Sequence, residues 1–202
     1  PSLEDQKSND EVPTGSLDTS YVCVTDEHGN IFSSTPSDVA KDSPIIPGTG
    51  LCPSSRGSQS WAIPGHPCSV EPGKRPRLTP NPALAIRKDE FAIPFGTPGG
   101  DIQVQAMLQC LLNIIEWKMD PQQSVEAPRF GSYSFPDSFE PHDYHPGKLM
   151  LESRFDDDLY SELNGLGHLT EDWPNLTWKA GAVCMIYSDL KSGIQTAGAD
   201  PR

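Results

Sequence analysis

Between residues 101 and 117 the chain carries apolar side chains at Ile102, Val104, Met107, Leu108, Leu111, Leu112, Ile114 and Ile115, with no Gly or Pro to interrupt them. The spacing is helical, and the apolar positions wrap most of the helix surface, so this helix is expected to be buried. Directly before it stands Gly96-Thr97-Pro98-Gly99-Gly100, a string that ends regular structure. Before that, two β-prone runs at residues 83–87 and 91–95 flank Lys88-Asp89-Glu90 and read as a hairpin. A hairpin that enters a buried helix through a double-glycine turn therefore organises the middle of the chain.

Other patterns surround that unit. Tyr21-Val22-Cys23-Val24, the turn cluster Asp26-Glu27-His28-Gly29-Asn30 and Ile31-Phe32 predict a first hairpin. Asp120-Pro121-Gln122-Gln123 opens a second helix, with Asp as N-cap, Pro at the first helical position and Gln at the third. A third helix is expected from near Ser153, bringing Phe155, Leu159, Leu163 and Leu166 to one face. Residues 181–188 and 193–197 predict a closing hairpin. Strands, then helices, then strands make the fold class α+β. Residues 36–82 are dense in Pro, Gly and Ser and read as loops. Residues 1–18 have no periodicity, carry five acids against one base, and read as a mobile acidic segment. The catalytic domain is expected to span residues 19–202.

Composition narrows the function. The 202 residues hold 28 acidic and 15 basic side chains, a net charge of -13, which repels a phosphate backbone and argues against nucleic acid. No apolar run approaches the roughly 18 residues of a membrane-spanning helix. Only 35% of residues are hydrophobic, as expected of a chain that shares part of its core with a partner. Cys23, Cys52, Cys68, Cys110 and Cys184 form no CxxC, and no His stands at zinc-ligand spacing from them. They read as reduced thiols in a cytoplasmic protein, with the periplasm or secretion as the alternative. Asp156-Asp157-Asp158 complement the dipole at a helix start better than they hold a metal. No metal and no organic cofactor is expected, and HxxxH, GxSxG and P-loop patterns do not occur.

Two features remain for chemistry: Asp18-Thr19-Ser20 before the first strand, and Thr97-Pro98-Gly99-Gly100 before the long helix. Paired glycines at a helix start present N–H groups that suit an oxyanion. Asp18-Thr19-Ser20-Tyr21-Val22-Cys23-Val24-Thr25-Asp26, then Gly29-Asn30 and Pro47-Gly48-Thr49-Gly50, resemble the small subunit of the gamma-glutamyltranspeptidase family. So do Pro72-Gly73-Lys74-Arg75-Pro76, Gly96-Thr97-Pro98-Gly99-Gly100, Met119-Asp120-Pro121-Gln122, Glu126-Ala127-Pro128-Arg129 and Gly198-Ala199-Asp200-Pro201-Arg202. Ser54-Ser55-Arg56-Gly57 followed by Pro64-Gly65-His66-Pro67 looks like the bacterial branch that includes oxamate amidohydrolase.

The resemblance implies an N-terminal-nucleophile hydrolase and one half of a four-layer αββα sandwich. It implies self-cleavage between Asp18 and Thr19, so that the new α-amine of Thr19 activates its own hydroxyl. Thr35 and Ser37 match hydroxyls that orient the nucleophile, and Gly99 and Gly100 match the oxyanion pair. The implied partner is a large subunit from the same precursor, in a heterodimer or a dimer of heterodimers, which supplies an Arg for the substrate carboxylate. The departures are specific. Ser20 replaces a Thr, Tyr21 a His, Val39 an Asn, and Leu78-Thr79 a pair of serines. Gln59 stands near the family's ammonium-gripping acid, and Arg56 adds a cation. Arg56, Gln59 and Thr79 are thus the expected substrate contacts, for a small carboxylated amide hydrolysed through a Thr19 acyl-enzyme. The alternatives are gamma-glutamyl transfer or glutathione hydrolysis, and an unprocessed, silent homologue that only binds.

Overall fold

The computed structural model describes residues 19–37 and 44–202, so Asp18, Val39 and the segment 1–18 lie outside the described residues. The first hairpin pairs β1 (Val22–Thr25) with β2 (Ile31–Ser34), Val22 opposite Ser34 and Thr25 opposite Ile31. A four-stranded antiparallel sheet follows in the order β3-β4-β8-β9, from β3 (Ala83–Arg87), β4 (Phe91–Gly96), β8 (Cys184–Asp189) and β9 (Gln195–Ala199).

Strand β4 is buried along its whole length because both faces are covered. Phe91, Ile93 and Phe95 meet Ala106, Met107, Cys110 and Ile114 of α1 (Ile102–Ile115) and Val125 of α2 (Pro121–Glu126). Ala92, Pro94 and Gly96 take the alternate positions, and the β1–β2 hairpin packs on β4 and β8. Small residues on that side let the two β layers come close. At Gly96 an added Cβ would run into the Tyr21 ring. Gly96→Ala should cost about 1–3 kcal/mol by overpacking. The full-length protein should melt several degrees lower, and adding Tyr21→Ala should recover part of the loss.

The helix starts follow the sequence. Asp120 accepts from the Gln123 N–H at 2.8 Å and the Gln123 side chain returns to the Asp120 N–H at 3.2 Å, closing the capping box. Helix α1 departs from expectation: Ile102, Ala106, Met107, Cys110 and Ile114 are buried, but Val104 and Leu108 are more than half exposed. A single sheet face can cover only one side of a helix. The third helix, α3 (Asp157–Gly165), begins four residues after Ser153, with Asp157 and Asp158 in its first turn, and none of its residues is fully buried.

A second sheet went unpredicted. Its order is β5-β6-β7, from β5 (Phe130–Ser132), β6 (Lys148–Glu152) and β7 (Leu169–Trp173), with β5 and β6 antiparallel and β6 and β7 parallel across α3. These strands are three to five residues long, and β5 and β7 lack clean alternation, so no period marked them. A Cβ at Gly131 would lie 2.6 Å from Ile102 Cδ1 and 2.7 Å from the Trp173 ring, which shows how tightly β5 is clamped between α1 and β7.

Charged side chains join the ends of these layers. The Arg129 guanidinium, almost fully buried, donates to the Asp200 carboxylate and to the carbonyls of Val125 (3.0 Å) and Ala180 (3.1 Å). Arg202 donates to Asp200 (2.9 Å), to both oxygens of Glu152 (2.8 and 2.6 Å) and to the carbonyls of Val125 and Ala127. Arg154 adds a second guanidinium to Glu152 at 2.8 Å.

Candidate active site

Thr19 stands three residues before β1, and the first backbone bond of the hairpin, Ser20 N–H to the Pro36 carbonyl at 3.0 Å, holds it against the chain leaving β2. That register sets the Thr19 hydroxyl 2.5 Å from the hydroxyl of Ser37, which is buried. Thr35 points into the interior two residues earlier, and its hydroxyl has no hydrogen-bond partner among the described residues. Ser37 is therefore the expected orienting hydroxyl that touches Thr19; Thr35 is close in sequence but unbonded to it.

Arg56 belongs to the same group. It lies in a short 3₁₀ turn, Ser55–Gln59, whose start is capped by the Ser54 hydroxyl accepting from Arg56 N–H at 3.2 Å. The side chain is buried: Nε donates to the Ser37 carbonyl at 2.8 Å and a terminal nitrogen donates to the Ser37 hydroxyl. Its guanidinium also sits over the Phe139 ring, 5.5 Å from the centroid. Gln59, fully buried, clasps Thr79: its amide donates to the Thr79 hydroxyl at 2.8 Å and accepts from the Thr79 N–H at 3.2 Å. The three expected substrate contacts thus divide, with Arg56 on Ser37 and Gln59 and Thr79 on each other.

The glycine turn lies at the mouth of α1. Gly99 (φ 125°) and Gly100 (φ 62°) occupy backbone regions that side chains rarely adopt, and a Cβ on Gly99 would stand 2.6 Å from Ile102 Cγ2. Neither N–H donates to an acceptor among the described residues. The turn is anchored from below, because the Thr97 hydroxyl accepts from Ala182 N–H at 2.7 Å and donates to the Pro98 carbonyl at 2.7 Å. Arg129 holds the adjacent Ala180 carbonyl, so the buried charge cluster supports the turn.

A segment that no motif marked ties these parts together. The Asp101 carboxylate accepts from Ser138 N–H (2.6 Å) and from the Ser138 hydroxyl (2.5 Å), while Glu140 N–H reaches the Ser58 carbonyl at 3.0 Å. Trp61 stacks between His66 and His142, each 4.1 Å away centroid to centroid. Residues 137–142 have no hydrophobic period and include Pro141, so the sequence offered no sign of this bridge.

The chemistry this arrangement supports is that of a hydroxyl. Burial pushes the Cys23 and Cys184 thiols up and the Cys110 thiol up to about 11, so none of these three supplies a thiolate at neutral pH. Burial likewise lifts the Tyr21 hydroxyl far above its ordinary range, against the opposing bond to Ser33 at 2.8 Å. Among the described residues no three His, Cys, Asp or Glu side chains gather to hold a metal ion, and no helix is long and apolar enough to cross a membrane.

Residues 2–202 match the Gamma-glutamyltranspeptidase family. The chain is 34% identical over 187 residues to the acylase ACY 1 proenzyme of Pseudomonas sp. (strain SE83), covering 92% of this chain and 31% of the relative. It is 31% identical over 196 residues to the glutathione hydrolase-like YwrD proenzyme of Bacillus subtilis (strain 168), covering 94% of this chain and 35% of the relative. The solved structure of LmbA2991HD superposes with a TM-score of 0.80 at 34% identity, over 90% of this chain and 32% of that one. The chain thus spans about a third of the length of these relatives.

Proposed function

We propose, since the chain belongs to the gamma-glutamyltranspeptidase family, that it carries the nucleophile of an amide hydrolase made as a self-cleaving precursor. The observation that carries this reading is the Thr19–Ser37 hydroxyl pair, 2.5 Å apart at the entry to β1. In self-cleavage the Thr19 hydroxyl oxygen attacks the Asp18 carbonyl carbon and its proton passes to the departing amide nitrogen. The C–N bond breaks, and water hydrolyses the resulting ester. In turnover the new α-amine, ordinarily with a pKa near 8, accepts the hydroxyl proton as the oxygen attacks the substrate carbonyl. The N–H groups of Gly99 and Gly100 receive the oxyanion. Collapse releases the amine with that proton, and water frees the acyl group.

The substrate we assign is a small carboxylated amide. The side chain standing near the family's ammonium-gripping acid is Gln59, which is neutral and clasped to Thr79. An acyl group with a carboxylate and no ammonium is favoured by such a site. The partner is a large subunit from the same precursor, and exposed apolar side chains support it. Val22, Val24 and Phe32 share one face of the hairpin, and Leu84 and Ile86 one face of β3, each at least 45% exposed. After self-cleavage the full-length protein should hydrolyse oxamate at least tenfold faster, by kcat/KM, than a gamma-glutamyl anilide. Robust activity on the anilide would instead establish the glutathione-hydrolase reading.

A further inference from the structure

We infer that Arg56 is a positioning residue for the nucleophile, acting through Ser37, rather than a cation that grips the substrate. This rests on the nucleophile reading above. Two donors of its guanidinium are committed to residue 37: Nε to the carbonyl at 2.8 Å and a terminal nitrogen to the hydroxyl. The same hydroxyl meets Thr19 at 2.5 Å. The order Arg56, Ser37, Thr19 has a direction. A guanidinium only donates, so Ser37 accepts from Arg56 and keeps its own proton for another partner. Once Thr19 has passed its proton to the amine, only Ser37 can donate across the 2.5 Å gap. The cation polarises that O–H toward the oxygen that carries the developing negative charge. The site is buried and charge-assisted, so the effect is larger than a surface contact would give.

Arg56 has the shape for this task. Its planar fork takes the carbonyl and the hydroxyl of one residue together, which fixes the side-chain torsion of Ser37 as well as its backbone. Packing over Phe139 holds the guanidinium plane. Lys would keep the charge and lose the fork.

The test uses the full-length precursor. In Arg56→Gln, self-cleavage followed by intact mass should slow by about tenfold to a hundredfold, the scale of losing one charge-assisted hydrogen bond. Arg56→Lys should recover part of it. In the processed enzyme kcat should fall by the same factor for oxamate and for its uncharged counterpart oxamide, with KM little changed for either. A rise in KM for oxamate alone, with kcat kept, would overturn the inference and return Arg56 to the substrate carboxylate. Ser37→Ala supplies a second check, as one arm of a double-mutant cycle. Adding Arg56→Gln to it should cost little more, whereas fully additive losses would refute action through Ser37. A wild-type precursor that neither cleaves nor turns over would refute the nucleophile reading itself. An active wild type with an unaffected Arg56→Gln would sink this inference alone.

Discussion

Thr19→Ala should leave the full-length precursor uncut at Asp18–Thr19 and without amide hydrolysis. The expected fall in turnover is roughly 10⁶-fold, the scale seen when the nucleophile of a coupled catalytic group is removed. No neighbour can substitute. Ser37 is a hydroxyl at 2.5 Å, but its backbone nitrogen sits inside the chain and cannot become a free amine. Burial has raised the Cys23 thiol of the same hairpin. Thr19→Ser keeps the hydroxyl and should still cleave, more slowly, because it loses the methyl group that restricts χ1. The readout is the mass of the downstream chain, which should begin at residue 19 in the wild type. Cleavage persisting in Thr19→Ala would remove Thr19 from the mechanism.

Asp200→Ala should be strongly destabilising, at about 3–5 kcal/mol, the usual cost of breaking a buried ion pair by removing one partner. Its carboxylate takes a hydrogen bond from Arg129, one from Arg202 at 2.9 Å and one from Val183 N–H at 3.0 Å, and its side chain is fully buried. Removing it leaves two guanidiniums in the interior with one remaining carboxylate, Glu152. The melting temperature should fall by roughly 10 °C. The glycine turn should loosen with it, since Arg129 would lose the partner that aims it at Ala180. Wild-type-like melting would mean that the cluster is not a structural clamp.

The same cluster gives the pH dependence its sign. Burial alone would raise the Glu152 carboxyl, but hydrogen bonds and charge from Arg202, then Arg154 and the Arg129 N–H, outweigh it and hold the group below the usual carboxylate range. A depressed carboxyl stabilises the fold at pH above its unfolded value, near 4.3, and the contribution is lost as pH falls through the folded value. The melting-temperature deficit of Glu152→Gln should therefore be full at pH 7 and shrink below pH 4. A deficit independent of pH would assign the loss to packing.

Legibility divided by physical cause. The Ala83–Arg87 and Phe91–Gly96 hairpin, helix α1 and the Asp120 cap were readable because each is encoded within a dozen residues, by period or by cap chemistry. The β5-β6-β7 sheet was not, because its strands are short and made strand by pairing. Motifs behaved similarly. Glu126-Ala127-Pro128-Arg129 and Gly198-Ala199-Asp200-Pro201-Arg202 were recognisable as strings, yet their task, a buried charge clamp, emerged only when Arg129 met Asp200.

The sequence by itself determined the α+β class, the family resemblance, the candidate nucleophile at Thr19 and the double-glycine turn, since these rest on local pattern and residue chemistry. Tertiary structure alone decided which hydroxyl Thr19 touches, that Arg56 serves Ser37, that Gln59 and Thr79 hold each other, and that Phe139 and Trp61 join the parts. Those contacts link residues between 18 and 83 positions apart. Side-chain direction over such separations is set by packing and by hydrogen-bond satisfaction in the assembled interior, and no short window of sequence contains it.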